Sequence, residues 1–239
     1  MSLLLEFRGV GKSFGGLRAS DDVSFAVHPN EIVGLIGPNG AGKTTLFALA
    51  SGFLKPTDGQ IWFDGVRIDG RDTAHICAAG LVRTFQIVKP FGDMTVLENA
   101  MIGAFLRHPR REDAERAAAE VLRRVGLGGR EQQQARTLTL SGRKRLEVAK
   151  ALATRPRLLL LDEVMAGLTT VETGEMVELV LSLRRDGVAV LVIEHNMKAI
   201  MQMSDRIVVV HHGRKIAEGE PHAVANDPQV VPAYLGEAH

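Results

Sequence analysis

Cysteine is nearly missing. Cys77 is the single cysteine in 239 residues, so no intrachain disulfide can form, and a free thiol fits a reducing cytosol. Cys77 itself reads as small apolar filler. Aromatic residues are also scarce, at 5%, and neither charge sign dominates, with a formal net charge of +1. That balance gives no electrostatic footprint for nucleic acid. No apolar run approaches the roughly 18 residues needed to span a bilayer. The opening Met1-Ser2-Leu3-Leu4-Leu5-Glu6 lacks a basic n-region and is not expected to be a secretory signal. Low-complexity segments and internal repeats are absent from the sequence. What remains is an ordinary globular composition, 45% apolar and 24% charged, in a chain long enough for one large domain or two small ones.

Against this background one stretch stands out. Gly37-Pro38-Asn39-Gly40-Ala41-Gly42-Lys43-Thr44 matches G-x-x-x-x-G-K-[ST], the phosphate-binding P-loop. A polyphosphate has to be wrapped by backbone N–H groups, so residues without a Cβ are needed where the chain bends around it; Gly37, Gly40 and Gly42 supply them. Lys43 can place a charge on the β- and γ-phosphates, and the Thr44 hydroxyl can bind Mg²⁺. Chance alone yields the pattern in about one chain in a hundred of this length. The context argues further against accident: Glu31–Ile36 reads as a buried strand entering the loop, and Lys43–Ser51, with Leu46, Phe47 and Leu49, reads as the helix leaving it, Thr45 lying in its first turn.

The flanking sequence predicts a mixed α/β architecture. Leu3–Val10 and Asp22–Val27 read as short strands, and Asp64-Gly65 within Gln60–Ile68 is a two-residue hairpin signal. These are expected to be antiparallel. Phe14, between the first two, either stacks on a nucleobase or joins the core. From Thr95 to Arg136 the texture turns helical. Thr95 with Glu98 forms a capping-box pattern, and Ala118, Val121, Leu122 and Val125 make a stripe within Ala114–Val125. His108–Asp113 reads as a polar break. Continuous apolar strands then follow at Leu158–Leu161, Val188–Ile193 and Ile207–Val210, with Val171–Arg185 helical between the first two. Such alternation predicts a mostly parallel sheet covered by helices on both faces.

In a sheet of this kind ligands lie beyond the carboxyl ends of the strands. Asp162 and Glu163 end one strand, and the leucines before them cannot hold a carboxylate, so both acids should emerge at that edge. One can organise Mg²⁺ and its waters; the next can take a proton from an attacking water. His195 ends the following strand and could hydrogen-bond the γ-phosphate. Arg143-Lys144-Arg145 reads as a solvated basic face of a helix over Thr139–Thr154.

Taken together, these residues resemble the ATP-binding cassette (ABC) ATPases over essentially the whole chain. The resemblance implies a P-loop NTPase core, with an antiparallel β-subdomain, over residues 1–90 and 155–239, and a helical subdomain inserted at 91–154. It implies that Phe14 stacks on the base and that Gly37 to Thr45 hold the phosphates. Asp162, Thr44 and Gln86 would serve Mg²⁺, Glu163 would be the catalytic carboxylate, and Lys43, Gln86 and His195 would assist it. In the signature loop the register is Leu138-Thr139-Leu140-Ser141-Gly142. Thr139 replaces the phosphate-contacting serine, and Ser141 stands where glycine is usual; both are expected to contact nucleotide. Val164 replaces the usual proline after Glu163, and Thr169 stands where the next loop often carries aspartate.

Within the family, Arg83–Gln86, Met94–Asn99, Ile193–Met197 and the ending Ala233-Tyr234-Leu235-Gly236-Glu237 resemble ATPase subunits of hydrophobic, branched-chain amino-acid importers. The resemblance implies ATP and Mg²⁺ as cofactors and a second ATPase subunit, identical or paralogous, as partner. It also implies membrane-spanning permease subunits, docked near Gln86–Phe91, and indirectly a periplasmic binding protein. The location implied is peripheral, on the cytoplasmic face of the inner membrane, with no nucleic acid bound. The alternatives are a lipid or lipopolysaccharide exporter and a non-transport ABC ATPase; members of the last group usually carry coiled-coil, zinc or tandem-domain additions that this sequence lacks.

Overall fold

The computed structural model describes residues 3–86 and 89–235. The elements in chain order are β1 (Leu5–Phe14), β2 (Leu17–Val27), β3 (Ile32–Ile36), α1 (Lys43–Ala50), β4 (Asp58–Phe63), β5 (Val66–Arg67), α2 (Thr73–Ala79) and β6 (Leu81–Arg83). Then come α3 (Val96–Ala104), α4 (Arg111–Arg124), a 3₁₀ turn at Ala135–Thr137 and α5 (Leu140–Ala153). The chain closes with β7 (Leu158–Asp162), α6 (Thr170–Arg185), β8 (Ala189–Ile193), α7 (Met197–Met203), β9 (Arg206–His211), β10 (Arg214–Gly219), α8 (Pro221–Ala225) and α9 (Val230–Leu235).

Two sheets result. One is antiparallel, in the order β2-β1-β4-β5. The other runs β10-β9-β3-β8-β7-β6 and is parallel except for its β9–β10 edge. Every residue of β3, β7 and β8 is buried, as strands covered on both faces must be. Their side chains alternate between two cores. Leu158 and Leu160 join the cluster built with α1 and the antiparallel sheet, while Leu159 and Leu161 join the one built with α3, α4 and α5.

Helix starts follow local chemistry. Thr95 caps α3 with the full reciprocal capping box to Glu98. Helix α4 begins at Arg111, inside the stretch read as a polar break, because Glu112 and Asp113 in its first turn favour a helix N-terminus. The sequence pattern also stops β1 short: the strand continues to Phe14, its last residue, which pairs with Leu17 across a two-glycine turn. Helix α2 and strand β6 carry no apolar periodicity long enough to read. Asp72 caps α2 by accepting from the His75 N–H at 2.7 Å, and β6 is held by pairing with β7.

Leu160 is fully buried at the centre of β7. Leu160→Ala is expected to lower unfolding free energy by about 2–5 kcal/mol, read as a fall in denaturation midpoint with no change of circular-dichroism spectrum before the transition. A loss below about 0.5 kcal/mol would contradict the packing described.

Candidate active site

The strand order sets the site. Because β8 lies between β3 and β7 and all three are parallel, their carboxyl ends share one edge, with Asp162 level with Ile193. The loop leaving β3 turns sharply into α1. Gly37 has φ 152° and a Cβ there would run into the Val210 carbonyl; Gly42, with φ 101°, would meet the Ala19 carbonyl. Side chains are therefore excluded at both positions. Lys43 is buried and its ammonium donates to the carbonyls of Gly37 at 2.5 Å and Pro38 at 2.8 Å.

Two clefts flank this loop. One, of about 320 Å³, is floored by Asn39, Gly40, Ala41, Gly42, Lys43, Thr44 and Thr45, with Phe14 and Leu17 on one side and Glu163 on the other. Phe14 is 45% exposed, which decides against a core role, and the Lys12 ammonium stands over its ring, 5.2 Å from the centroid. The second cleft, about 520 Å³, runs between Thr44 and Asp162 and is bordered by Arg83, Gln86, Lys89 and Phe91. Ile87 and Val88, within the segment expected to dock a partner, lie outside the described residues.

Asp162 is almost fully buried. Its N–H is accepted by the Thr84 hydroxyl at 3.2 Å, and its Oδ2 accepts from the Arg83 guanidinium at 2.7 Å. Its Oδ1 has no hydrogen-bond partner among the described residues. A carboxylate with one unsatisfied buried oxygen, bordering the same cleft as a threonine hydroxyl, is a hard-oxygen donor set that fits Mg²⁺ completed by phosphate and water oxygens.

Glu163 follows in a left-handed backbone conformation, φ 49°. Both its carboxylate oxygens are engaged: the Gln86 amide donates to Oε2 at 2.5 Å, and His195 Nε2 lies 2.9 Å from Oε1. Gln86, Glu163 and His195, from three separate loops, are thus one hydrogen-bonded group.

Thr139 and Ser141 line neither cleft. Thr139 caps α5, accepting from the Gly142 N–H at 3.2 Å. Glu172 is held below the ordinary carboxylate range first by the Thr169 N–H and then by the Thr169 hydroxyl, with the Ser141 hydroxyl adding a further bond. Ser141 is buried.

The basic run is not a solvated face. Arg143 donates to the carbonyls of Leu138 and Arg136, each at 3.0 Å. Lys144 is 4% exposed and donates to the Glu163 carbonyl at 2.7 Å. Arg145 donates to the Val125 carbonyl at 2.8 Å. Burial pushes the Lys144 ammonium below the ordinary lysine range, against the pull of Glu194 and Glu163. Glu194, equally buried, accepts from the Met165 N–H at 2.7 Å; burial raises its carboxyl to about 7. Sequence reasoning missed Arg83, Lys144 and Glu194 as parts of the site. A signal existed for Lys144: Val148, Ala151 and Leu152 follow at helical spacing, so it sits on an apolar stripe.

Glu194 makes stability depend on pH. Its folded value of about 7 exceeds its ordinary 4.5, so between these the native chain keeps a proton that the unfolded chain has lost. The contribution, about 3 kcal/mol at most, is full below about pH 4.5 and disappears as pH rises through about 7. Glu194→Gln keeps the acceptor for Met165 and is expected to flatten the decline of melting temperature from about pH 5 to 8. An unchanged slope would contradict this.

Comparison with known proteins agrees with the geometry. Residues 20–166 match the ABC transporter family, and residues 214–239 match the branched-chain amino acid ATP-binding cassette transporter family. The chain is 43% identical to the high-affinity branched-chain amino acid transport ATP-binding protein LivG of Escherichia coli (strain K12), over 98% of both chains. It is 41% identical to BraF, the corresponding protein of Pseudomonas aeruginosa, again over 98% of both. Its fold is similar to the ADP conformation of MJ1267, an ATP-binding cassette of an ABC transporter, with TM-score 0.90 and 32% identity over 99% of this chain and 100% of that one.

Proposed function

The chain belongs to the ABC transporter ATP-binding family, and from that premise we propose that it is the ATP-hydrolysing subunit of an importer of hydrophobic, branched-chain amino acids. The observation that carries the cargo is similarity outside the common catalytic motifs. It runs through 98% of the chain in the branched-chain relatives and includes the separate match at 214–239. Nothing comparable favours export of lipid or a non-transport role.

The residues divide the work as follows. Phe14 stacks on the base, and the backbone of 37–45 with Lys43 holds the phosphates. Thr44 and Asp162 would hold Mg²⁺, with Gln86 close by; bound there, the ion supplies charge to the β- and γ-phosphate oxygens. Glu163 orients the attacking water and takes its proton, and His195 donates to the γ-phosphate, stabilising charge that develops there. Gln86 and His195 each take one lone pair of the Glu163 carboxylate, which orients it and leaves the remaining lone pairs to accept from the attacking water.

Two chains arranged head to tail would complete two sites, each nucleotide lying between one chain's P-loop and the Thr139–Ser141 segment of the other. That Thr139 and Ser141 line neither cleft of their own chain supports the arrangement. Residues 91–154 act as the helical subdomain and 1–90 with 155–239 as the core. Exposed Phe53, Phe85 and Phe91, the first two edge to face at 5.5 Å, offer the permease subunits an apolar seat beside Gln86. No helix among the described residues is long and apolar enough to cross a membrane; the subunit is held at the cytoplasmic face through the permease, to which a periplasmic binding protein brings cargo.

Uptake of labelled leucine, isoleucine and valine by cells lacking this chain is expected to fall to background and to return with the wild-type chain, but not with Lys43→Ala. Unchanged uptake would overturn the import reading. In the purified protein Glu163→Gln is expected to keep ATP binding, to lose roughly 10²–10⁴-fold in turnover and to accumulate as an ATP-dependent dimer. Normal turnover in that variant would remove Glu163 as the base.

A further inference from the structure

A buried lysine links two parts of the chain that the proposed reaction assigns to different active sites. Lys144 lies in the second turn of α5, whose N-cap is Thr139. Its ammonium is enclosed and donates to the backbone carbonyl of Glu163 at 2.7 Å. The same carbonyl accepts the Ala166 N–H at 3.3 Å, and the Glu163 N–H donates to the Ile193 carbonyl at 2.9 Å. Two residues on, the Met165 N–H is held by the buried Glu194, the neighbour of His195. The turn carrying the catalytic carboxylate is therefore gripped from both sides by hydrogen bonds from buried side chains, a donor on one side and an acceptor on the other. It needs such a grip: Glu163 has φ 49°, a conformation costly for a residue with a side chain, and Val164 has no ring to fix the next bond.

We propose that Lys144 is a positioning residue that couples the two active sites of the dimer. Its helix carries the Thr139 loop toward the nucleotide of the second chain, and its ammonium transmits the position of that helix to Glu163 of its own chain. A helix moves as a rigid body, and a charged hydrogen bond within an enclosed site is short and directional. When the second chain's nucleotide seats the Thr139 loop, Lys144 sets the Glu163 carbonyl, and with it the carboxylate facing Gln86 and His195. This coupling rests on the head-to-tail arrangement proposed above; the bond from Lys144 to Glu163 is a feature of the single chain.

The test is steady-state ATP hydrolysis by the purified full chain at saturating protein, with fluorescent-ATP binding measured in parallel. Lys144→Met keeps length and apolar packing but deletes the charge. It is expected to bind nucleotide within twofold of the parent, to lose at least tenfold in kcat with KM changed less than twofold, and to show a Hill coefficient reduced to 1. Lys144→Arg, which keeps the donor, is expected to restore a Hill coefficient above 1.5 and part of kcat. Retention by Lys144→Met of the parent's kcat and Hill coefficient would overturn the proposal. So would a loss of binding together with turnover that Lys144→Arg does not repair, which marks a packing role alone, or a parent Hill coefficient of 1. Failure of the ATPase reading itself is separate: Lys43→Ala would then hydrolyse ATP as the parent does.

Discussion

A carboxylate cannot remain among leucines without a counter-charge, and this constraint organises the molecule. Strands β7 and β8 are apolar along their buried lengths and end in Asp162-Glu163 and Glu194-His195. The acids collect at the edge where the sheet stops. Each is met there by a cation or donor from another segment: Arg83 for Asp162, Gln86 and His195 for Glu163, with Lys144 standing near both Glu163 and Glu194. The parallel order β3-β8-β7 brings this charged edge beside the glycine-rich loop. The site follows from strand order and desolvation together.

The same edge carries three left-handed backbone positions that shape the site. Gly37 and Gly42 adopt conformations that side chains would block, and Glu163 adopts one that side chains tolerate poorly. The first two shape a concave run of N–H groups around Lys43. The third points a carboxylate at two donors on neighbouring loops. Both are held by buried polar bonds rather than apolar packing, so geometry at the edge depends on charge balance as much as on the two hydrophobic cores beneath it.

Much of this was legible in the residues. The P-loop, the acids after Leu161, the helix cap at Thr95 and the continuous apolar strands each have a local cause, and local causes leave a pattern in sequence. Phe14 could not be decided that way, because only its exposure separates stacking from core. Lys144 and Arg83 were hidden for a different reason. Their partners, Glu163 and Asp162, lie 19 and 79 residues away, and no periodicity encodes a contact made by folding two distant segments together. A run such as Arg143-Lys144-Arg145 looks solvated until the helix is placed; then all three are found capping carbonyls. Elements as short as β6 are likewise set by the neighbouring strand, not by their own composition.

The central proposal is that two chains build each active site, the Thr139 loop of each serving the nucleotide of the other. The most direct measurement is the rate of ATP hydrolysis per chain as protein concentration is raised, with Lys43→Ala as control. The account predicts a rate per chain that climbs with concentration to a plateau and is lost in the control. A rate per chain that stays constant across a series that begins where the chain is monomeric would contradict it.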